Sequence, residues 1–105
     1  MKVYNKLIRD KIPAIIEASG KRANVEVMSD KEYEKALDAK LSEELNEYNE
    51  DKDINELADL LEVIYAIVEH KGLSIEEFEK IRLNKKEERG GFKEKLILYN
   101  VENNK

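Results

Sequence analysis

Hydrophobic and polar positions follow the period of an α-helix along most of this chain. After Ser29, apolar residues recur every three or four positions and form a single stripe. The residues of this stripe are Tyr33, Leu37, Leu41, Leu45 and Tyr48. Ser29 and Glu32 have the spacing of a capping box, in which each side chain accepts a hydrogen bond from the other residue's backbone N–H. The pattern therefore predicts a helix over residues 30–48.

The most apolar segment of the chain follows Asp53, a favoured N-cap residue, and predicts a helix over residues 54–71. Its apolar residues cover a wide surface: Leu57, Leu60, Leu61, Ile64, Ile67 and Val68. A helix with so broad an apolar surface lies at the centre of a bundle or at a subunit interface. Because 105 residues build only a small core, we expect a homodimer or a dimer of dimers.

Two shorter helices are predicted toward the ends of the chain. Pro13 fits the first turn of a helix over residues 13–18. A second capping box begins at Ser74 and predicts a helix over residues 75–89. Strand character appears only in two short runs, at residues 25–28 and 96–101. We therefore expect a single, mainly α domain over residues 1–105, an antiparallel helical bundle with two short strands at its periphery.

Composition and charge narrow the class of protein. Charged and apolar residues each make up 41% of the chain, as expected for amphipathic helices with solvated outer faces. The formal net charge of −5 disfavours binding to nucleic-acid polymers or anionic membranes. The absence of cysteine excludes disulfides, thiolate metal sites and cysteine nucleophiles. With neither a membrane span nor a signal-peptide apolar run in the sequence, we expect a cytoplasmic protein.

Four acidic residues stand out because they form two pairs, Glu44 with Glu47 and Glu56 with Asp59. Spacing of i, i+3 places both members of a pair on one helix face. If the two helices fold back across the polar turn between them, four carboxylates converge, and a divalent cation relieves their repulsion. Hard oxygen ligands select Mg²⁺, Mn²⁺ or Ca²⁺ over softer metals. Glu44 falls inside the apolar stripe, where an unpaired glutamate is uncommon.

Three other interpretations compete with a metal site formed by these four carboxylates. Exposed helix faces are rich in glutamate, so the acidic pairs can be solvated surface in a non-catalytic helical interaction module. Glu56 can instead be the N3 partner of Asp53 in a helix cap. Residues 51–62 also match the oxygen-bearing positions of an EF-hand calcium loop, but Glu56 occupies the position where the sharp turn requires glycine.

The acidic motif also resembles a known signature. The sequence Glu43-Glu44-Leu45-Asn46-Glu47, followed by Glu56-Leu57-Ala58-Asp59, is similar to that of the all-α nucleoside triphosphate pyrophosphohydrolases. This superfamily includes the MazG proteins, the dimeric dUTPases and phosphoribosyl-ATP pyrophosphohydrolase. The opening YNKLIRDKIP at residues 4–13 and ERGGF at residues 88–92 resemble landmarks of a small MazG-like subgroup.

The resemblance implies an Mg²⁺-dependent enzyme that cleaves the α–β phosphate bond of a nucleoside triphosphate, standard or non-standard, and releases a monophosphate and pyrophosphate. A narrower alternative within the superfamily is phosphoribosyl-ATP hydrolysis in histidine biosynthesis. Only eight residues separate Glu47 from Glu56, fewer than in the larger MazG proteins. This short connection leaves little room for a base-recognising loop, so the substrate base is open.

The resemblance also assigns roles to individual residues. Glu44, Glu47, Glu56 and Asp59 would be the metal ligands, and Glu43 would be an auxiliary catalytic carboxylate beside Glu44 that orients a water. The phosphates of the substrate need cations as well. The candidates are Lys6, Arg9, Lys11, Lys86 and Arg89. We favour the two arginines among them because a guanidinium group binds phosphate through two parallel hydrogen bonds.

Overall fold

A computed structural model describes residues 1–103 of the chain. The chain divides into two compact units, Met1–Leu73 and Ser74–Lys105. The helices are α1 (Ile12–Ala18), α2 (Asp30–Asp51) and α3 (Ile54–His70) in the first unit, and α4 (Ile75–Arg89) in the second. The mainly α class is therefore confirmed, whereas the single domain stays a prediction. Across residues 1–103, none of the helices has the length and apolar character needed to cross a membrane.

The predicted capping boxes begin two of these helices. At the start of α2, the Glu32 backbone N–H donates to Ser29 Oγ at 3.2 Å, and the Ser29 N–H donates to Glu32 Oε1 at 3.1 Å. The same reciprocal pair forms between Ser74 and Glu77 at the start of α4. These bonds satisfy backbone donors that have no partner inside the helix, so the sequence sets these two helix starts locally.

Helices α2 and α3 pack against each other as an antiparallel pair. Only Lys52 and Asp53 connect them, and Lys52 adopts the left-handed conformation (φ 56°) that ends α2. Near the connection, Glu47 meets Glu56. At the far end of the pair, the rings of Tyr33 and His70 meet edge to face with centroids 5.3 Å apart. These two contacts, one near each end of the pair, have the same register, as expected for antiparallel helices.

The two predicted strands are absent from the described part of the chain. Residues 25–28 and 96–101 are not paired into a ladder with any segment of residues 1–103. Their side chains are exposed as well: Val27 is 97% exposed and Leu96 is 85% exposed. A strand needs a neighbouring backbone to accept and donate its hydrogen bonds, and a favourable residue pattern cannot supply that neighbour.

The core of the chain is small. Leu37, Val63 and Val68 are the buried apolar residues among those described, and all three lie on α2 or α3. One charged residue, Glu44, is buried in the same helix pair at 7% exposure. Burial of a carboxylate is costly unless its charge is compensated. Glu44 is therefore a candidate functional residue within the helix pair.

Candidate metal centre

The antiparallel pairing of α2 and α3 brings the predicted carboxylates together. One ligand oxygen from each of Glu44, Glu56 and Asp59 lies within 4.8 Å of the others. Glu47 belongs to a second group on α2, in which one oxygen from each of Glu43, Glu44 and Glu47 also lies within 4.8 Å of the others. All four predicted ligands, together with Glu43, therefore belong to one acidic cluster, to which both helices contribute.

Glu44 lies at the centre of this cluster and is the most buried of its members. Its Oε1 lies 3.6 Å from Lys40 Nζ. Its Oε2 is fully buried and accepts no hydrogen bond within the described structure. Burial, and after it the nearby charge of Glu47, raises the pKa of Glu44 above its usual range. The cost of holding this charge out of water is thus only partly offset by Lys40.

Glu56 shows the second unpaired buried oxygen, again its Oε2. Desolvation of the Glu56 carboxyl group, followed by a hydrogen-bonding contact with Glu47 and repulsion from that carboxylate, raises the pKa of Glu56 to about 7. The capping alternative for Glu56 is not adopted, because Asp53 caps α3 alone through a 2.9 Å bond from the Asn55 backbone N–H. The Glu56 side chain instead belongs to the cluster.

The N-terminal segment supplies cations to the cluster. Lys6 Nζ donates to Glu43 Oε1 at 3.0 Å, and Arg9 Nη1 donates to Asp59 Oδ1 at 3.0 Å. The bond from Lys6 lowers the pKa of Glu43, which keeps that carboxylate ionised. Two of the predicted phosphate-binding residues are therefore held directly against the acidic cluster.

The other predicted phosphate-binding residues are placed differently. Lys11 is exposed at the N-cap of α1 and is not among the cations that contact the cluster. Lys86 and Arg89 lie in the second unit, where they line a cavity of about 390 Å³ with Arg82, Lys85 and Phe92. Their role in phosphate binding stays a prediction that rests on the resemblance.

One residue of the site, Lys40, was not predicted from the sequence. Its ammonium group lies 3.6 Å from both Glu43 Oε1 and Glu44 Oε1, and its side chain is only 15% exposed. The sequence does contain a signal for it, because Lys40 precedes these glutamates by three and four positions and so shares their helix face. Such spacing is common on charged helices, so by itself it does not indicate a residue of a functional site.

The calcium-loop alternative is wrong. Residues 54–62, which would form most of an EF-hand loop, are the first turns of α3. An EF-hand wraps an irregular loop around the ion and needs a sharp turn at its sixth position. Here that position, Glu56, is helical, so the loop cannot form.

The residues present suit a hard divalent cation. Every candidate ligand is a carboxylate oxygen, the donor type that Mg²⁺ and Mn²⁺ prefer over sulfur or nitrogen. The buried Oε2 atoms of Glu44 and Glu56 have no hydrogen-bond donor in the described structure. Buried acceptors are normally satisfied, so these two oxygens support a role as ligands.

Comparisons with known proteins add little to this picture. No protein-family model matches the chain, and no solved structure matches it. A stretch of 41 residues is 54% identical to an uncharacterized protein from Mycolicibacterium smegmatis. This match covers 39% of the chain and 42% of that protein, so the chain spans less than half the length of the relative it matches. Membership of the pyrophosphohydrolase superfamily stays a prediction.

Proposed function

We propose that the chain is an Mg²⁺-dependent nucleotide pyrophosphohydrolase that cleaves the α–β phosphate bond of a nucleoside triphosphate. One observation carries this proposal: two helices converge on a carboxylate cluster that contains a 7% exposed glutamate, Glu44, with an unpaired buried oxygen. On an acidic helix face that is only solvated, the glutamate side chains would be exposed. A cluster of hard ligands beside two cations is suited to binding a metal–polyphosphate substrate.

The carboxylates would have two roles, metal binding and proton transfer. Glu44, Glu47, Glu56 and Asp59 would hold Mg²⁺, which supplies neutralisation of the charge that develops on the departing pyrophosphate. Glu43 lies beside Glu44 and Glu47 and is kept ionised by Lys6. An ionised carboxylate at this place can orient an attacking water and accept its proton. Phosphate chemistry of this kind depends on positioning and electrostatics, so it needs no cysteine or serine nucleophile.

Lys6 and Arg9 would serve the substrate rather than the metal. Each now neutralises one carboxylate of the cluster, Glu43 and Asp59 respectively. Both side chains are partly exposed, at 43% and 60%, so an incoming phosphate can compete for them. We propose that they exchange carboxylate oxygens for phosphate oxygens when the nucleotide arrives.

Product analysis tests the proposed function directly. The protein is incubated with Mg²⁺ and a panel of nucleoside triphosphates, and pyrophosphate is measured separately from orthophosphate. We expect pyrophosphate in equal amounts with nucleoside monophosphate, and no release without the metal. Orthophosphate and nucleoside diphosphate as products would place the cleavage at the wrong bond. No product from any nucleotide, including phosphoribosyl-ATP, would favour the non-catalytic module.

Replacement of Arg9 by glutamine should weaken substrate binding more than metal binding. The variant removes a cation that reaches the cluster, so we expect the KM for the nucleotide to rise about tenfold, the value of one charge-assisted hydrogen bond. Mn²⁺ affinity, measured by electron paramagnetic resonance, should stay the same or increase because Asp59 is freed. Arg22→Gln is the matched control, since Arg22 is exposed between α1 and α2. An unchanged KM in Arg9→Gln would remove this residue from the phosphate site.

We also propose that the chain works as an oligomer of identical subunits. Ile54, Leu57 and Leu61 lie at i, i+3 and i+7 on α3 and are 73%, 38% and 44% exposed. Few apolar residues are buried inside the described chain, whereas these three side chains share one face of α3 and stay partly exposed. A second copy packed on this face would remove it from water.

The double variant Leu57→Glu/Leu61→Glu tests this oligomer. Two charges in an apolar contact cannot be desolvated without cost, so we expect the variant to sediment as a monomer at concentrations where the unmodified protein is a dimer or larger. Leu57→Met/Leu61→Met keeps the surface apolar and should leave the oligomer intact. A monomeric unmodified protein would contradict the proposal outright.

A further inference from the structure

The segment at residues 96–101, here called the C-terminal run, is apolar and exposed. It follows a turn in which the Lys95 backbone N–H donates to the Phe92 carbonyl at 3.2 Å. Its five large apolar side chains are each 71–85% exposed: Leu96, Ile97, Leu98, Tyr99 and Val101. Its backbone groups make no hydrogen bond within residues 1–103. The C-terminal run therefore lacks a partner for its backbone and for most of its apolar surface in the described chain.

The C-terminal run has one face that is apolar along its whole length. Single apolar residues are common on protein surfaces, but a contiguous patch marks an interaction site. In an extended segment, successive side chains point to opposite faces. The two faces carry Ile97, Tyr99 and Val101, and Leu96, Leu98 and Asn100, respectively. The Ile97 face has no polar residue and is the better candidate for burial.

Helix α3 presents an apolar surface of matching length. Its exposed face consists of Ile54, Leu57 and Leu61, which span about 10 Å at the helical rise of 1.5 Å per residue. In an extended segment, residues 97 and 101 are about 13 Å apart. Three apolar side chains of the C-terminal run can therefore lie along three apolar side chains of an α3 helix.

The charges beside these two surfaces are complementary. Helix α3 contains neither lysine nor arginine, and its acidic residues are Glu56, Asp59, Glu62 and Glu69. Residues 89–95, which lead into the C-terminal run, are mainly basic, with Arg89, Lys93 and Lys95 against Glu94. Opposite charges favour the approach of these two segments. The net charge of −5 disfavours an anionic lipid surface as the alternative occupant.

We propose that the Ile97 face of the C-terminal run packs on the exposed α3 face of a second copy, and that the two copies exchange this contact. Such an exchange is closed by a two-fold axis. At roughly 100 Å² for a fully exposed apolar side chain, the six side chains of the two faces would bury roughly 400 Å² per copy. The apolar part of a standard interface is about 450 Å² per partner. This inference rests on the proposed oligomer and not on the proposed reaction.

Cross-linking between copies tests the contact directly. The chain has no native cysteine, so single-cysteine variants report one position each. Ile54→Cys in an affinity-tagged chain is co-expressed with Tyr99→Cys in an untagged chain, and the purified protein is mildly oxidised. We expect a disulfide that joins one tagged and one untagged chain. Ala14→Cys, exposed on α1, replaces Ile54→Cys in the control and should give no such link.

Face-specific variants test whether the contact holds the oligomer together. Ile97→Ser/Tyr99→Ser removes two apolar side chains from the proposed contact, so the dissociation constant of the oligomer should rise at least about a hundredfold. Leu96→Ser/Leu98→Ser makes the same change on the opposite face and should leave the oligomer intact. Sedimentation velocity measures both, and circular dichroism should show unchanged helical content because these side chains are exposed.

The outcomes that would overturn the inference differ from those that would overturn the proposed oligomer. An intact oligomer in Ile97→Ser/Tyr99→Ser, together with its loss in Leu57→Glu/Leu61→Glu, would retain the oligomer but exclude this contact. Links between two Tyr99→Cys chains, with none to Ile54→Cys, would show that the C-terminal runs pair with each other. A monomeric protein that cosediments with vesicles of phosphatidylserine and phosphatidylcholine would exclude both proposals and assign the C-terminal run to a lipid surface.

Discussion

Glu44→Gln is expected to reduce pyrophosphate release by at least about a hundredfold while leaving the fold intact. Loss of outer groups around a metal site alone costs up to about that factor, and Glu44 would be a ligand to the metal. The substitution keeps the shape of the side chain and removes only its charge. Activity is measured as pyrophosphate released in the presence of Mg²⁺, and the fold is checked by circular dichroism.

The unfolding temperature of this variant should not fall with its activity. Without metal, Glu44 is a buried charge near Glu47 and Asp59, and burial, followed by repulsion from these carboxylates, raises its pKa. A neutral amide avoids that cost and can donate to a neighbouring carboxylate, so the metal-free variant should unfold at the same temperature or a higher one. Added Mg²⁺ should stabilise the unmodified protein and leave the variant unchanged.

A structural role for Glu44 would give a different pattern. If the residue served only packing, Glu44→Gln would lower the unfolding temperature, and Mg²⁺ would stabilise neither protein. Glu34→Gln is the matched control, because Glu34 is on the same helix but exposed and should retain both activity and stabilisation by metal. Full activity in Glu44→Gln would rule out the proposed metal centre.

The acidic cluster could be predicted because its geometry is set by local rules. Spacing of i, i+3 fixes which side chains share a helix face, and a two-residue connection leaves the helices no choice but to fold back. The burial of Glu44 followed from its phase within the apolar stripe. The helical period and the polar residues between the helices are evident in the sequence, whereas α2 continues to Asp51, three residues beyond the predicted end at residue 48.

The N-terminal segment could not be placed in the same way. Lys6 contacts Glu43 across 37 positions of sequence, and Arg9 contacts Asp59 across 50. Irregular backbone has no period from which a direction can be predicted, so only the resemblance linked these cations to phosphate. A cavity of about 140 Å³ beside Glu43 could not be predicted for the same reason, since Asn5 and Leu7 line it from that segment.

The predicted strands failed for another reason. Residues 25–28 and 96–101 have suitable side chains, but strand formation also depends on a partner edge. Helix pairs differ in this respect, because each helix satisfies its own backbone and needs its neighbour only for apolar contact. Sequence periodicity is thus a stronger guide to α2 and α3 than to either extended run.

The pH dependence of metal binding is expected to follow Glu56. Its pKa of about 7 means that, near neutral pH, a proton and a metal ion compete for the same carboxylate. Apparent Mn²⁺ affinity should therefore fall about tenfold for each pH unit below 7, with release of a proton on binding that calorimetry in two buffers detects. At pH 8 the carboxylate is already ionised, so the affinity should level off.

Stability without metal should change with pH in the opposite direction. The pKa of Glu56 is raised from an ordinary value of 4.5, so between about pH 4.5 and 7 the folded chain binds this proton more tightly than the unfolded chain does. The free energy of unfolding therefore decreases as pH rises across that interval, and the contribution of the proton is lost above it. The raised pKa of Glu44 acts with the same sign, whereas the lowered pKa of Glu43 affects only more acidic solutions.

Glu56→Gln distinguishes the contribution of this residue from that of the rest of the cluster. The variant carries no titrating group at position 56. Without metal, its unfolding temperature should therefore decline less than that of the unmodified protein between about pH 5.5 and 8, around the interval in which Glu56 titrates. The decline of the unfolding temperature with pH that remains in this variant belongs to Glu44. Asp53→Asn, which alters only the cap of α3, is the control and should retain the full decline. Saturating Mg²⁺ should reverse the trend in the unmodified protein, because metal bound to ionised carboxylates stabilises the fold most at high pH. An unfolding temperature that rises with pH in the metal-free protein would show that Glu56 is ionised throughout and that its proton does not compete with the metal.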